Sequence, residues 1–287
     1  MIINNPACII CHSTKTMPIL NVPSPVNGSL AYTLYQCAAC DSRFFDPKEH
    51  EIDIRTANEK FSLAEPYIKV AFTQNPYWQH QVQVITALHQ GKIRSILDCG
   101  CRTGDFLMHW PMNIARTGIE VVDDVAVVAR SRGLNVINTP LEESHLELQY
   151  DVVSCYAILE HLTKPEQVLN ALANSVAPSG ILALMVPSHE SVKARLQGPS
   201  WHQYYPPFHL GFFSRRYLDE FMKKRDFEMV STTFTSGGMF NPFSRIPLAA
   251  KAWSKLMFLF DRFSPTRYTP LFDHMYIYYR KIDNAQT

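Results

Sequence analysis

Short apolar runs alternate with amphipathic stretches through the middle of the chain. Val82, Ile85, Leu88 and His89 recur at helical spacing, so a helix is predicted over 77–90, ended by Gly91. An apolar strand follows at 95–99. Residues 106–110 are expected on a helix that Pro111 stops. Residues 118–122 read as a strand, 125–132 as a helix closed by Gly133, and 135–138 as a short strand. Two buried strands are predicted at 151–157 and 181–186. The helix between them, 165–176, opens with Pro165, as a first helical turn prefers. A helix from about 214 to 224, a strand at 227–235 and a last strand at 275–279 complete the series. Strand and helix alternating in this way predict βαβ units, hence an α/β fold on a mostly parallel sheet.

The remaining stretches break this rhythm. Residues 1–46 hold four of the seven cysteines and β-like runs such as 30–36, and are expected as a small separate module. Residues 47–80 are mixed and polar, with Pro47, Pro66 and Pro76, and read as a linker with some helix. The main domain is expected over 81–287, with an insert at about 237–273. Within that insert, 248–263 forms a helical pattern with a wide apolar arc and a narrow polar face at Lys251, Ser254, Lys255, Asp261 and Arg262. Three readings suit it: a helix packed over the sheet, a dimer contact, or peripheral membrane binding.

The chain has 287 residues, enough for one large domain and a small one, and 46% hydrophobic against 18% charged residues makes it globular. A net charge of +1 leaves no basic footprint for nucleic acid. The N-terminal residues do not have the pattern of a signal peptide, and no run approaches the roughly 20 apolar residues of a membrane span. The expectation is a cytoplasmic enzyme whose cysteines are thiols or metal ligands.

The most informative segment is Leu97-Asp98-Cys99-Gly100-Cys101-Arg102-Thr103-Gly104. A strand ends at Asp98, bends through Gly100 and Gly104, and leads on toward a helix. Such a turn lets backbone N–H groups approach a ligand closely, and it lies where open α/β sheets bind ligands. Glu120 ends the next strand, placed to accept hydrogen bonds from ribose hydroxyls. The spacing is not the Gly-x-Gly-x-x-Gly of dinucleotide sites, which argues against a nicotinamide enzyme.

The run 96–107, ILDCGCRTGDFL, resembles the first motif of class I S-adenosylmethionine (SAM) dependent methyltransferases. Gly118-Ile119-Glu120 resembles their second motif. Tyr150-Asp151-Val152-Val153 through Leu159-Glu160-His161-Leu162 is similar to the fourth-strand motif of the branch that includes ubiquinone-type O-methyltransferases. The resemblance covers about 70–235 and the last strand, and implies a seven-stranded Rossmann-like sheet. It also implies roles for residues. Gly100, Cys101 and Gly104 face the amino-acid end of SAM, Asp98 orients the turn or meets the ammonium, Glu120 holds the ribose, and Tyr156 borders the methyl group. Two positions depart from the family. Arg102 replaces its middle glycine. Pro140 stands where an acid often contacts the adenine, leaving the backbone N–H of Leu141 for that contact.

An acceptor that loses a proton needs a base. Glu160, His161, His202 and His209 are candidates, with His161 and His209 preferred as catalytic; structural roles as capping, core or loop histidines compete. Trp201-His202-Gln203-Tyr204-Tyr205 is an aromatic and polar loop that suits an acceptor pocket, or simply covers the sheet.

Cys8-x-x-Cys11 and Cys37-x-x-Cys40 flank an insert of 25 residues. Two such pairs can present four thiolates to a tetrahedral Zn2+, and a closed four-thiolate set suits a structural rather than catalytic ion. Cys8-Ile9-Ile10-Cys11-His12 also matches c-type haem attachment, and four thiols without metal are a further reading. The module, with Leu34-Tyr35-Gln36-Cys37 and Phe44-Phe45-Asp46-Pro47, resembles zinc-binding stretches that precede methyltransferase domains acting on sugars or other small metabolites. Three functions are carried forward. The first is a SAM-dependent methyltransferase of a small-molecule or sugar acceptor. The second is an RNA methyltransferase guided by the zinc module, disfavoured by the scarcity of basic residues. The third is a SAM-fold binding protein without activity.

Overall fold

In the computed structural model, which describes residues 5–24, 28–48, 72–140, 149–235 and 273–283, three strands come first: β1 (Thr16–Pro23), β2 (Ala31–Cys37) and β3 (Arg43–Phe45). They are followed by β4 (Ser95–Cys99), β5 (Ala115–Ile119), β6 (Asn135–Ile137), β7 (Tyr150–Tyr156) and β8 (Val176–Pro187). The last strands are β9 (Gly211–Phe212), β10 (Phe227–Thr235) and β11 (His274–Lys281). The helices are α1 (Pro76–Leu88), α2 (Asp123–Ser131), α3 (Pro165–Asn174), α4 (Val192–Gln197) and α5 (Arg215–Lys223).

The main sheet has seven strands in the order β10-β11-β8-β7-β4-β5-β6. β4 pairs in parallel with both β5 and β7, and β11 runs antiparallel between β8 and β10. The chain therefore crosses to opposite sides of β4, and the carboxyl end of that strand opens a crevice where ligands bind in doubly wound sheets. Side chains of successive residues leave opposite faces. Leu97, Val153, Leu182 and Ile277 pack against α3 and α5, whereas Ile96, Val152, Ile181 and Tyr278 face the other layer with Ile85 of α1 and Ala126 of α2. Burial on both faces explains why these strands read as continuous apolar runs.

Local expectations change in three places. The helix expected at 106–110 is one 3₁₀ turn, Leu107–His109, because Pro111 leaves too few residues after Gly104 for a longer helix. The strand expected at 118–122 begins at Ala115 and ends at Ile119, since the Glu120 side chain accepts the Val122 N–H and turns the chain toward α2. β8 starts at Val176, well before the expected 181. Among the described residues, no helix is long and apolar enough to cross a membrane. Most of the 47–80 linker, Leu141, and the insert up to residue 272, with the helix expected at 248–263, lie outside the described residues.

The second sheet runs β1-β2-β3-β9. Its fourth strand comes from far along the chain, through pairing of Arg43 with Phe212 and Phe44 with Gly211. Phe45, Leu34 and Tyr32 pack with Trp201, Tyr204 and Phe212, while Cys8, Ile10, Cys37, Cys40 and Phe44 join the core under α5. The first 46 residues thus share their core with the second half of the chain.

Candidate functional site

Three residues of the turn after β4 have left-handed backbone: Gly100 (φ 73), Arg102 (φ 51) and Gly104 (φ 82). Ile119 O accepts the N–H groups of Gly100 and Cys101 at 2.9 and 3.0 Å, which ties the turn to the end of β5. Backbone shape favours glycine at both Gly100 and Gly104, and a Cβ there would also displace the methyl end of Ile158, 2.2 Å away, or of Leu134, 2.0 Å away. Arg102 occupies the family's middle-glycine position with its side chain exposed. Cys101 is buried with its sulfur against Gly118, where a Cβ would come within 2.3 Å of it, so only its backbone borders the crevice. Arg132, at the end of α2, braces the turn through Thr103 O and the Asp105 carboxylate, both at 2.7 Å.

Two carboxylates face this turn. Asp98 is buried, and Ser154, its register partner on β7, donates to it at 2.7 Å. Burial pushes the Asp98 pKa up to about 7; the Ser154 hydrogen bond opposes the shift and the nearby Glu120 charge adds to it. Glu120 accepts from the N–H groups of Arg102 at 3.0 Å and Val122 at 2.9 Å. A carboxylate held by two backbone donors at the end of the second parallel strand is rigidly placed. Together, the two acids and the tightly held glycine turn suit a cationic, hydroxyl-bearing ligand such as SAM.

A second cluster follows β7. Glu160, His161 and His209 bring one ligating atom each to within 4.8 Å of one another. Glu160 is 1% exposed, and its Oε2 has no hydrogen-bond partner among the described residues. Burial pushes its pKa up to about 8. His161 and His209 meet edge to face with centroids 4.8 Å apart. Each anchors Nδ1 on a backbone carbonyl, Phe208 O at 2.9 Å and Gln203 O at 2.8 Å. Such anchoring is the usual support of a histidine whose other nitrogen binds a metal or a proton. Close surroundings, with the Arg102 charge nearby, lower the His161 pKa, and burial pushes that of His209 down to about 3. Both rings are neutral at pH 7. The structure therefore joins the two expected histidines with Glu160.

Tyr156, expected beside the methyl group, buries its ring among Trp78, Phe106 and Tyr276. His202 sits near Gln203 and Asp273 and is not one of the three residues of the cluster. Ser154 and Arg132 were not singled out by the sequence. Each acts through strand register or a helix end, for which the local pattern holds no signal.

The four module cysteines lie within 4.8 Å of one another, with Sγ–Sγ distances of 3.8 Å for Cys8–Cys40 and 3.6 Å for Cys11–Cys37. A Zn–S bond of about 2.3 Å in tetrahedral geometry requires roughly 3.8 Å between sulfurs, so the set fits a zinc ion. The two pairs form matching knuckles: the N–H of His12 donates to Cys8 O and that of Asp41 to Cys37 O. His12 and Asp41 take the left-handed conformation (φ 61 and 59) that glycine often supplies there.

The sheet order, the glycine turn and its two acids define a class I SAM-dependent methyltransferase fold. Comparison with known proteins agrees. The family profile described as "Methyltransferase domain" matches residues 54–232, more than half of the chain, and the chain belongs to that family. The ubiquinone biosynthesis O-methyltransferase of Hydrogenovibrio crunogenus is 32% identical over 111 residues, 35% of this chain and 45% of that protein. The enzyme of the same name from Bordetella pertussis is 34% identical over 140 residues, 42% of this chain and 56% of that protein. The chain spans about half the length of the curated relatives it matches. Among solved structures, the plantazolicin methyltransferase BpumL in complex with a monoazolic desmethylPZN analog and SAH superposes with a TM-score of 0.52 at 17% identity, covering 83% of this chain and 93% of that one. The SAH complex of the N-methyltransferase NodS from Bradyrhizobium japonicum has a TM-score of 0.50 at 13% identity, covering 78% and 99%. These likenesses show the fold.

Proposed function

We propose that the protein transfers a methyl group from SAM to a hydroxyl of a small-molecule or sugar-like acceptor. The observation that carries this reading is the turn at Asp98–Gly104 facing Glu120, with a second cluster of Glu160, His161 and His209 just beyond β7. SAM supplies an electrophilic methyl on a sulfonium, and in-line alignment of a bound pair contributes roughly 7–11 kcal/mol to such displacements. The chain's own residues divide the work. Backbone of Gly100, Cys101 and Gly104 receives the amino-acid end, Asp98 balances its ammonium, and Glu120 accepts from the ribose. Leu141 is the proposed backbone contact to the adenine, and Tyr156 closes the base of the crevice. Neutral His161, oriented by Phe208 O, takes the acceptor's proton, with His209 beside it. The name of the curated relatives favours oxygen as the acceptor atom. The four thiolates of Cys8, Cys11, Cys37 and Cys40 hold a structural zinc.

Calorimetry with SAM tests the cofactor half. Asp98, with a pKa of about 7 before SAM arrives, must be ionised to meet the ammonium. Binding then releases a proton below pH 7, so affinity falls as pH drops, by at most about tenfold per pH unit, and levels off above pH 8. No heat of binding at pH 8 sinks the proposal.

For the acceptor half, His161→Ala is expected to lower turnover on the order of 10²–10⁴-fold with SAM affinity within twofold. Unchanged turnover removes His161 from the mechanism. The unpartnered Glu160 oxygen beside two anchored imidazoles also suits a divalent cation, which would polarise the acceptor oxygen. Wild-type activity lost on EDTA dialysis and restored by Mg2+ or Mn2+ selects that role over direct proton transfer.

A further inference from the structure

Between the end of β1 and the chain leading to β9 lies a recess of about 620 Å³. Ligand pockets commonly run from roughly 300 to 1,000 Å³. Val22 and Pro23 of the four-cysteine module line it together with Pro199, Trp201 and Tyr205. His209 also lines it. Because the His209 ring lies 4.8 Å from that of His161, the recess and the proposed reaction centre meet at this histidine.

The chemistry of the walls narrows the occupant. Among the described residues, no Lys, Arg, Asp or Glu lines the recess. Behind it, Asp273 is already engaged by Lys193 at 2.5 Å and the Trp201 indole at 2.9 Å. The Gln203 amide donates to His202 at 3.1 Å and to His274 at 3.3 Å, which fixes a neutral polar floor. A charged ligand would shed water here without meeting a charged side chain among the described lining residues. A ring with hydroxyl groups would find apolar faces in Pro23, Pro199 and Tyr205, and neutral donors and acceptors in Ser200, His202 and Gln203.

We infer that this recess binds the methyl acceptor, that the acceptor enters it as an uncharged, hydroxyl-bearing ring, and that the four-cysteine module sets its size limit through Pro23. The inference rests on the methyltransferase reading above. It gives the module a recognition role besides its structural one. Tyr204, whose hydroxyl accepts from the Arg43 guanidinium at 2.7 Å, couples the module to the other lining residues.

Saturation-transfer NMR on the full chain, with and without SAH, tests it using catechol, methyl α-glucopyranoside and benzoate as probes. The expected result is binding of catechol or the glucoside, with benzoate at least tenfold weaker; which neutral ring binds separates a phenolic from a sugar acceptor. Pro23→Trp, at an exposed rim position, and Tyr205→Ala are expected to weaken the bound probe at least fivefold while SAH affinity stays within twofold. Failure of both neutral rings to bind, benzoate binding as well as catechol, or undiminished binding by both variants overturns the inference. Loss of SAH binding in the wild type would instead overturn the methyltransferase reading, and the probe result without SAH still decides this one.

Discussion

Cys40→Ser is expected to lower zinc content from near one to near zero per chain, drop the melting temperature by more than 10 °C and abolish methyl transfer. Structural zinc sites contribute apparent binding energy on the order of 10–16 kcal/mol, comparable with the whole stability of a domain at about 5–15 kcal/mol. In a chain of this size about 1 kcal/mol shifts the midpoint by roughly 2–4 °C, so losing even part of that energy exceeds the stated drop. The damage does not stay in the module. Ser214 donates to Cys40 O, Tyr217 donates to Ile10 O at 2.8 Å, and Arg216 pairs with Asp41 at 2.8 Å. The N–H of Phe45 donates to Leu210 O, and that of Leu210 to Glu160 O. Without the metal, the strand that follows His209 loses its partner, and the His161–His209 contact loses its support. Metal analysis, thermal melts and activity on one preparation check this. An unchanged melting point in a zinc-free variant would count against a structural ion.

Gly104→Ala is expected to abolish measurable SAM binding, whereas Gly133→Ala leaves it within twofold. Both glycines are left-handed, at φ 82 and φ 79, so both substitutions carry the backbone penalty of about 1–2 kcal/mol. They differ in what the new methyl meets. At Gly133 there is nothing within 4 Å; at Gly104 the Leu134 Cδ1 lies 2.0 Å away, with Ala129 at 3.7 Å. Leu134 is buried and Ala129 is fully so, so the Leu134 methyl must rotate into the surrounding core to make room. Overpacking of that kind costs roughly 1–3 kcal/mol more, and the chain relieves it by reshaping the turn. Denaturation measurements on the pair separate the common backbone penalty from the packing one. Equal SAM affinities in the two variants would show that the shape of the turn at Gly104 does not govern binding.

Much of the fold was legible locally. Apolar runs at 95–99, 151–157 and 227–235 correspond to β4, β7 and β10, and Pro165 and Ser214 mark the starts of α3 and α5. These signals work because strand and helix periodicity is imposed by neighbours within a few residues. β1 was missed because Pro18 and Pro23 interrupt a strand pattern; as the outer strand of its sheet it tolerates them. β9 was missed because two residues carry no period, and only their partner β3 makes them a strand.

The sequence by itself determined the α/β class, the glycine turn with its acids and the paired cysteines, because each is written in residues close together or in a recurring spacing. Only the tertiary structure decided that Ser154 holds Asp98, that Glu160, His161 and His209 form one cluster, and that the four-cysteine module borders the recess beside them. Those contacts follow from strand order and register. Such pairings are set by the packing of whole layers, and a local pattern of apolar and polar positions does not encode them.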